Sequence, residues 1–525
     1  MNNIKVLDCT LRDGGYCNEW KFGATNIRHI VEGLVEADID IIECGFLNHF
    51  ASYQSGISIY SSMEQVASII PQDKENKMFV LMANCDEIDI DKLEERGRDT
   101  VDGIRLAFHK KDMKKAMQLC KQIKTKGYEV FVQAMVSLNY SDMEYLQLIK
   151  DTNDLKPYAF YIVDSFGVMK WVDLVRMFYL VEHNLDQEIR VGYHSHNNMQ
   201  LAYSNAQALV DIETTRELIL DSSIMGMGRG AGNLNTELFI EYLNSAKGTE
   251  YKIKPVLRMI DEIINKFHQE NYWGYSLANY LSARHNIHPN YAKYLSDKNT
   301  LSIEDMDTIF EQIIPDKQVI FDKHYIEDLY LSYMKKGEAN EERLLVLKDS
   351  VADKKVMLIA PGKSSEEEKE KIIQYAQKND VVTISVNFDY KELPVDYIFV
   401  SNIRRFNALE ETVSSKTIIT SNISATNCLL KTNYIELVNC EERVSDNAGL
   451  MLIKFLMKLG VKEIALAGFD GYSYANEQNY AKSAMRLSYK KSDLDALNNG
   501  LTRVLKEYKK EIDIDFVTTE RFIRL

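Results

Sequence analysis

The sequence predicts an α/β protein with an N-terminal (β/α)8 TIM barrel, a helical extension and a C-terminal Rossmann-like doubly wound α/β domain. Three observations predict this fold class. Apolar runs alternate with amphipathic segments over the first 230 residues, helical periodicity dominates residues 250–350, and a second α/β pattern begins at residue 355. At 525 residues the chain is also too long for one typical hydrophobic core, so we expect two or more domains.

Eight short runs of apolar and β-branched residues mark the strands of the first domain. They lie at residues 5–11, 39–46, 77–83, 103–109, 129–135, 159–165, 190–196 and 218–226. Near-continuous apolar strands that alternate with helices predict a parallel sheet covered by helices. Eight such units in roughly 240 residues favour a closed barrel, and an open doubly wound sheet is the alternative.

The predicted domains are a barrel over residues 1–250, a helical extension and linker over 251–345, and a Rossmann-like domain over 355–525. The polar, charged stretch 335–355 is the expected boundary. Strand candidates in the last domain lie at 355–362, 381–387, 395–402, 417–422, 434–439, 463–471 and 512–519. Such strands with helices between them predict a doubly wound sheet.

The composition narrows the class of protein and its partners. A net charge of −15 argues against a general nucleic-acid binder, because phosphate binding needs a basic surface, although a local arginine can still hold a small anion. No run of 18 apolar residues occurs, so we expect no membrane span and no membrane partner. The first residues lack a signal-peptide pattern, and the seven cysteines form no CxxC pair. These features predict a cytoplasmic protein with free thiols.

The strongest local signal is the pair His194 and His196 at the end of the seventh predicted strand. Residues two apart on a strand point to the same face, so both imidazoles can reach one metal ion. Asp13 follows the first strand, and a barrel brings the ends of all strands to one rim. Two histidines and one aspartate suit Mn²⁺, Mg²⁺, Co²⁺, Zn²⁺ or Fe²⁺. Arg12 beside the ion can stabilise an enolate or carboxylate oxygen.

A structural explanation stands beside each of these assignments. The two histidines can form a hydrogen-bonded or surface pair, and Asp13 with Gly14 can form an ordinary turn with Arg12 ion-paired at the surface.

Four segments resemble the signature segments of the DRE-type TIM-barrel metallolyases. They are LDCTLRDGG (7–15), VDSFG (163–167), HSHNN (194–198) and GMGRGAGNLNTE (226–237). This superfamily includes the 4-hydroxy-2-oxoacid aldolases and 3-hydroxy-3-methylglutaryl-CoA lyase. The resemblance spans residues of about 4–245 and implies a divalent-metal-dependent aldolase or lyase. Such an enzyme cleaves or forms a C–C bond of a small hydroxy-oxoacid through a metal-stabilised enolate, with an oxoacid and an aldehyde as reactants.

The resemblance also implies roles for particular residues. Asp13, His194 and His196 would bind the cation, most often Mn²⁺ or Mg²⁺, and Asn233 matches a further ligand position in some members. Arg12 would stabilise the enolate. Ser165 would lie near the bound oxoacid, and Glu43 matches an acidic position that either contacts the cation or lies behind its ligands.

The general base departs from the pattern of the oxoacid aldolases. These enzymes carry histidine three residues after the metal aspartate, where this chain has Tyr16. A tyrosine of normal pKa near 10 is a poor base at neutral pH. Either the cation tunes Tyr16, or Tyr16 only orients the substrate and the base is His109, at the end of the fourth predicted strand, or a metal-bound hydroxide. His109 can equally be a solvated loop histidine. The glycine-rich loop also lacks the cysteine of the 3-hydroxy-3-methylglutaryl-CoA lyases.

Two other functions stay open at this stage. One is a Claisen-type acyltransferase that joins acetyl-CoA to a 2-oxoacid, and the other is a barrel-based binding protein that has lost catalysis. The aromatic-rich segment 272–295, with His285 and His288, favours an interface, and we expect a homo-oligomer.

The second domain carries weaker signals. APGKSS (360–365) follows a strand and precedes a helix, so its amides can form an anion site. Residues 444–473, which include Asp470 and Gly471, resemble a segment of Rossmann-like glycosyltransferases and nucleotide-binding proteins. The resemblance implies a nucleotide or nucleotide-sugar partner, and a docking domain without a ligand is the alternative.

Overall fold

The computed structural model describes residues 3–72, 74, 76–298, 300–335, 341–475, 478–481, 491–523 and 525. The chain divides into two compact units. The first comprises Met1–Tyr294 and Ile313–Phe321, and the second comprises Leu295–Gln312 and Asp322–Leu525. The domain limits drawn at residues 250, 345 and 355 stay a prediction, and the stretch 336–340 of the expected boundary lies outside the described residues.

Eight parallel strands close into a barrel in the first unit. They are β1 (Ile4–Asp8), β2 (Ile41–Leu47), β4 (Met78–Asn84), β5 (Gly103–Phe108), β6 (Glu129–Ala134), β7 (Ala159–Asp164), β8 (Arg190–Ser195) and β9 (Leu218–Ser222), with the short β3 (Ile59–Tyr60) beside β2. The order β1-β9-β8-β7-β6-β5-β4-β2 closes because β1 also pairs with β2. The predicted (β/α)8 barrel is thus confirmed, and the open sheet is excluded.

Helices cover the outside of the barrel, as the amphipathic segments predict. They are Ala24–Glu36, Met63–Ala67, Met113–Thr125, Asp142–Leu155, Trp171–Glu182, Ala202–Val210 and Thr236–Lys247, with further helices at Ile253–Met259, Asn265–Glu270, Leu277–Arg284 and Pro289–Lys298. A π-helical turn spans Ile260–Ile264. The helices after Thr236–Lys247 agree with the helical periodicity of residues 250–350, but Leu295–Gln312 and the chain from Asp322 onward belong to the second unit.

The chain after β1 differs from the sequence prediction. The strand ends at Asp8 rather than at residue 11, and a helical turn spans Thr10–Asp13. The Asp8 carboxylate accepts a hydrogen bond from the Thr10 amide, which starts this turn. Gly15 lies in a second turn (Gly15–Asn18), where a Cβ would lie 2.0 Å from a ring atom of Trp20. This glycine is therefore required by close packing rather than by an extended turn.

The second unit contains seven parallel strands. They are β10 (Lys355–Ile359), β11 (Val381–Val386), β12 (Tyr397–Val400), β13 (Thr417–Thr420), β14 (Leu430–Thr432), β15 (Glu463–Ala467) and β16 (Asp513–Phe516). Their order is β14-β13-β12-β11-β10-β15-β16, so the direction of winding reverses between β10 and β15. The second unit is confirmed as a parallel α/β sheet with this switch point, and its likeness to Rossmann-like domains stays a prediction.

Helices of the second unit lie between its strands and before them. They are Ile303–Phe310, Lys323–Met334, Glu341–Val351, Ser364–Glu367, Lys369–Lys378, Ile403–Asn407, Tyr434–Leu437, Ala448–Lys458 and Lys491–Tyr508. The short helix Pro315–Gln318 belongs to the first unit. Among the described residues, no helix is both long and apolar enough to cross a bilayer.

Two predictions for the second unit are wrong. Residues 434–439 do not form a strand, because Asn433 accepts a hydrogen bond from the Ile435 amide and caps the helix Tyr434–Leu437. The second wrong prediction is that the amides of segment 360–365 form an anion site, because the Ser364 amide already has a partner. It donates to the Asp470 carboxylate at 2.7 Å, so a carboxylate of the protein itself occupies that position.

Candidate active site and metal centre

Polar side chains from three loops converge at the carboxyl ends of the barrel strands. Arg12 and Asp13 lie in the helical turn after β1, and His194 and His196 lie at and just after the end of β8. Asn233 follows β9 and forms an isolated β-bridge with His196. Because β8, β9 and β1 are neighbours in the closed barrel, these loops meet at one point of the rim.

The Asp13 carboxylate lies at the centre of this group. It is fully buried, and neither oxygen accepts a hydrogen bond from a described residue. Its Oδ2 is 3.4 Å from His194 Nε2, 3.7 Å from His196 Nε2 and 3.4 Å from Arg12 Nη1. Burial alone would raise the pKa of Asp13, but the charge of Arg12 and the nearby imidazoles hold this pKa well below its usual range. The carboxylate is therefore ionised.

A buried carboxylate that sequence reasoning missed orients His194. The Nδ1 of His194 is 3.0 Å from Asp221 Oδ2 on β9, so Nε2 is the nitrogen that faces Asp13. Asp221 also accepts hydrogen bonds from the Tyr161 hydroxyl at 3.0 Å and from Arg105. Burial alone would lower the pKa of His194, but the neighbouring Asp13 and Asp221 carboxylates raise it. A carboxylate behind a ligating histidine fixes its tautomer and its orientation.

Glu43 holds Arg12 in place. Arg12 Nε donates to Glu43 Oε2 at 2.8 Å, and Arg105 Nη1 donates to Glu43 Oε1 at 2.8 Å. The structure thus places Glu43 between two guanidinium groups, behind Arg12. The Nη2 of Arg12 is buried, and this arrangement leaves that amino group without an acceptor among the described residues.

The donor set fits a divalent cation. Beside the unpartnered Asp13 carboxylate, Asn233 Oδ1 and His196 Nδ1 are also buried without a described partner. Unsatisfied buried polar atoms are uncommon in folded proteins and need a reason. Burial lowers the pKa of His196 to about 3, so its imidazole is neutral, as metal ligation requires. One carboxylate, two imidazoles and an amide oxygen suit Mn²⁺, Mg²⁺ or Co²⁺.

Cys9 is a neighbour of this centre that the sequence did not single out. Its Sγ and ligand atoms of Asp13 and His194 all lie within 4.8 Å of one another. Burial raises the pKa of Cys9 well above its usual range, so the thiol is protonated. Cys9 lies beside the centre because it directly follows the last residue of β1.

Tyr16 lies on the turn after Asp13, at the mouth of the barrel. Its ring packs edge-to-face on Trp20, with ring centroids 4.8 Å apart, and it keeps 39% of its surface exposed. Burial of the hydroxyl nevertheless raises the pKa of Tyr16, and the charge of Arg229 offsets this only in part. Tyr16 therefore carries its proton at neutral pH and is a donor rather than a base.

His109 and Ser165 follow the ends of β5 and β7. Burial, with the charge of Lys111, lowers the pKa of His109, so its imidazole is neutral at pH 7. The Ser165 hydroxyl accepts a hydrogen bond from the Val136 amide at 2.9 Å. Ser165 is thus held by the backbone of a neighbouring loop.

His288 from the helical extension reaches the same region. Its ring packs on Phe166, with ring centroids 5.8 Å apart, directly after Ser165. Burial, with the charge of Arg229, lowers the pKa of His288 to about 2. The sequence favoured an interface for segment 272–295, and its aromatic pattern did not show that His288 turns toward the barrel mouth.

A closed barrel with a buried aspartate, two histidines and an arginine on its rim defines a DRE-type TIM-barrel metallolyase. The HMGL-like family model matches residues 3–264. The crystal structure of the N-terminal domain of a protein assigned as an aldolase, from Bacteroides vulgatus, is 30% identical with a TM-score of 0.51. The match covers 57% of this chain and 98% of the Bacteroides vulgatus domain. The chain belongs to the HMGL-like family and is a carbon–carbon lyase.

Two curated relatives show the range of this family. A 4-hydroxy-2-oxovalerate aldolase of Geobacillus genomosp. 3 is 28% identical over 244 residues, which are 46% of this chain and 70% of the relative. An oxaloacetate decarboxylase of Mycobacterium tuberculosis is 26% identical over 243 residues, which are 45% of this chain and 69% of the relative.

Proposed function

We propose that the barrel is a divalent-cation-dependent aldolase that cleaves or forms a C–C bond of a small hydroxy-oxoacid. The observation that carries this proposal is the buried, unpartnered Asp13 carboxylate, which faces His194 and His196 and has Arg12 beside it. The names of the relatives, an oxovalerate aldolase and an oxaloacetate decarboxylase, support oxoacid chemistry.

We propose Asp13, His194, His196 and Asn233 as the residues that hold the cation, with Mn²⁺ or Mg²⁺ as the favoured ions. When bound, such a cation polarises the substrate carbonyl and neutralises developing negative charge. Asp221 keeps His194 in the orientation and tautomer that ligation needs.

The chain's own residues supply positioning and proton transfer. His109 is neutral at pH 7 and is our candidate for the base that takes the proton from the 4-hydroxyl group of the substrate. The C3–C4 bond then breaks, and its electron pair passes to the oxoacid half, which leaves an aldehyde and an enolate. Arg12 Nη2 donates to the enolate oxygen, and Tyr16, which carries its proton, donates to the aldehyde oxygen. A proton from solvent then adds to C3 of the enolate, and His109 releases the proton it took to solvent, which completes the reaction. Ser165 borders the oxoacid half.

Two other functions predict different products. A Claisen-type acyltransferase would release free CoA from acetyl-CoA, and a barrel without catalysis would bind a ligand and release nothing. The aldolase has the better support, because Arg12, Asp13 and both histidines form one buried group and His109 can act where Tyr16 cannot.

The full-length chain with Mn²⁺, pyruvate and a panel of aldehydes tests the proposal. We expect a hydroxy-oxoacid product by NMR and mass spectrometry, and no CoA release when acetyl-CoA is added. Thiol release with acetyl-CoA would favour the acyltransferase. No product with any aldehyde, together with tight binding of pyruvate, would favour the binding protein.

We further propose that the second unit binds a small polar ligand, with a nucleotide or nucleotide sugar as the first candidates. A cavity of about 200 Å³ opens at the switch point between β10 and β15, where doubly wound sheets bind ligands. Its lining includes Lys298, Arg405 and Arg443 beside Asp297, Asp446 and Asp470. The basic side chains suit an anionic group and the carboxylates suit hydroxyl groups of one polar molecule. A thermal shift with nucleotides tests this, and no shift with any of them would favour a docking domain. The homo-oligomer and the cytoplasmic location also stay predictions.

A further inference from the structure

A second guanidinium group faces the mouth of the barrel. Arg229 lies in the glycine-rich loop after β9, and its Nη2 donates to the Ser165 carbonyl oxygen at 3.1 Å. Its Cζ is 5.4 Å from the centroid of the Tyr16 ring. The Nε of Arg229 is buried and has no hydrogen-bond partner among the described residues. The permanently charged guanidinium of Arg229 therefore has one N–H donor, at Nε, that no described residue accepts.

The loop that carries Arg229 is held firmly. Gly230 and Gly232 have φ angles of +68° and +86°, which favour glycine. The Ala231 amide donates to Asn198 Oδ1 at 2.8 Å, and Asn198 Nδ2 donates to the Phe166 carbonyl oxygen at 3.0 Å. These bonds anchor the loop to the neighbouring strand end, so little ordering is needed when Arg229 binds an anion.

The charges of the site show what Arg229 adds. The inner group contains two guanidiniums (Arg12, Arg105) and three carboxylates (Asp13, Glu43, Asp221), which pair with one another. A bound divalent cation turns their net charge of −1 into +1, enough for one substrate carboxylate. Arg229 has no described carboxylate within 4.0 Å, so it brings a further positive charge that the protein does not neutralise.

The position of Arg229 assigns this charge to one half of the substrate. It packs on Tyr16, and its charge also contributes to the lowered pKa values of His109 and His288. His109 and His288 therefore lie within electrostatic reach of Arg229. In the proposed reaction, Tyr16 and His109 contact the oxygen of the aldehyde half. Arg229 packs on Tyr16 and also binds the backbone of Ser165, so it borders the aldehyde half on the side that meets the oxoacid half.

We propose that Arg229 binds a carboxylate on the aldehyde-derived half of the substrate, so that the full substrate is a dicarboxylate. A guanidinium matches the geometry of a carboxylate, and the total charge of the loaded site balances two carboxylates. This inference rests on the proposed function, because it takes an oxoacid in the inner site as given.

Binding of two probes tests the inference without any turnover. 2-Oxoglutarate and 2-oxopentanoate have the same chain length and differ in a terminal carboxylate against a methyl group. Calorimetric titration of the Mn²⁺-loaded full-length chain should show that 2-oxoglutarate binds at least about tenfold more tightly than 2-oxopentanoate. This is a difference of about 1.4 kcal/mol in binding free energy. In Arg229→Gln this preference should disappear while 2-oxopentanoate binds as before, and Arg229→Lys should keep part of it.

Arg176→Gln is the matched control, because Arg176 is an exposed arginine of the same unit that pairs with Asp142. It should keep the full preference. The inference is overturned if the parent shows no preference, or if Arg229→Gln weakens both probes alike, which would assign Arg229 to the common oxoacid carboxylate. If the Mn²⁺-loaded parent binds neither probe, the proposed function itself fails, and the inference fails with it.

Discussion

Replacement of Asp221 by asparagine tests how much the buried carboxylate behind His194 contributes. Asp221 accepts from His194, Tyr161 and Arg105, and all four groups are buried. Asparagine keeps the shape and one acceptor oxygen but removes the charge that fixes the tautomer of His194. Loss of such a partner typically weakens metal binding by about 10–100-fold.

The same substitution should also destabilise the barrel. Arg105 keeps Glu43 as a partner, so the cost lies near the lower end of the 3–5 kcal/mol expected for a broken buried ion pair, about 3 kcal/mol. This corresponds to a fall in Tm of about 6 °C in a domain of this size. The two effects have separate causes, since the stability loss does not depend on metal.

Two measurements separate them. Thermal unfolding of the metal-free protein gives the stability change, and titration with Mn²⁺ gives the affinity. Asp142→Asn serves as the control, because Asp142 is an exposed carboxylate in a surface ion pair, and such pairs contribute about 0–1 kcal/mol. An Asp221→Asn protein with unchanged Mn²⁺ affinity and unchanged Tm would refute the role given to Asp221.

Three further predictions follow from the site. The single nitrogen of Arg12→Lys cannot occupy both the Nε position that binds Glu43 and the separate Nη2 position, so kcat should fall by about 10²–10³-fold with Mn²⁺ binding retained. An unchanged kcat would remove Arg12 from the reaction. His109→Gln should lower kcat by about 10²–10⁴-fold. In the parent, kcat/KM should fall as the pH drops through the pKa of His109, which lies below 6.5, and an acidic limb that persists in His109→Gln would assign the base elsewhere. Gly15→Ala places a Cβ against Trp20 and should lower the free energy of unfolding by about 1–3 kcal/mol in chemical denaturation. Gly97→Ala is the control, because its Cβ meets nothing within 4 Å and the stability should not change. Equal stability of both variants would contradict the packing argument.

The barrel was predictable because its strands are short apolar runs in regular alternation with amphipathic helices. Strand ends were less predictable, since local hydrogen bonds decide them. The Asp8 carboxylate binds the Thr10 amide and starts a helical turn, and Asn433 caps a helix where residues 434–439 read as a strand. Neither bond has a signal in hydrophobic periodicity.

The candidate site was predictable where two residues lie close in sequence. His194 and His196 share a strand end, and Asp13 lies near the end of another strand. The partners that orient them come from other strands, so spacing gives no sign of them. The sequence gives one indication of Asp221, because it is a charged residue inside the apolar run LILDSS. The side of the barrel that His288 faces depends on tertiary packing alone.

The metal content of purified protein tests the central claim most directly. The parent should bind about one divalent cation per chain, measured by elemental analysis after loading with Mn²⁺ and desalting. Asp13→Asn and His194→Ala should each lose most of this metal, while circular dichroism confirms that they keep the fold. Variants that retain the parental stoichiometry and affinity would show that the cation, if bound, lies elsewhere and that the proposed centre is wrong.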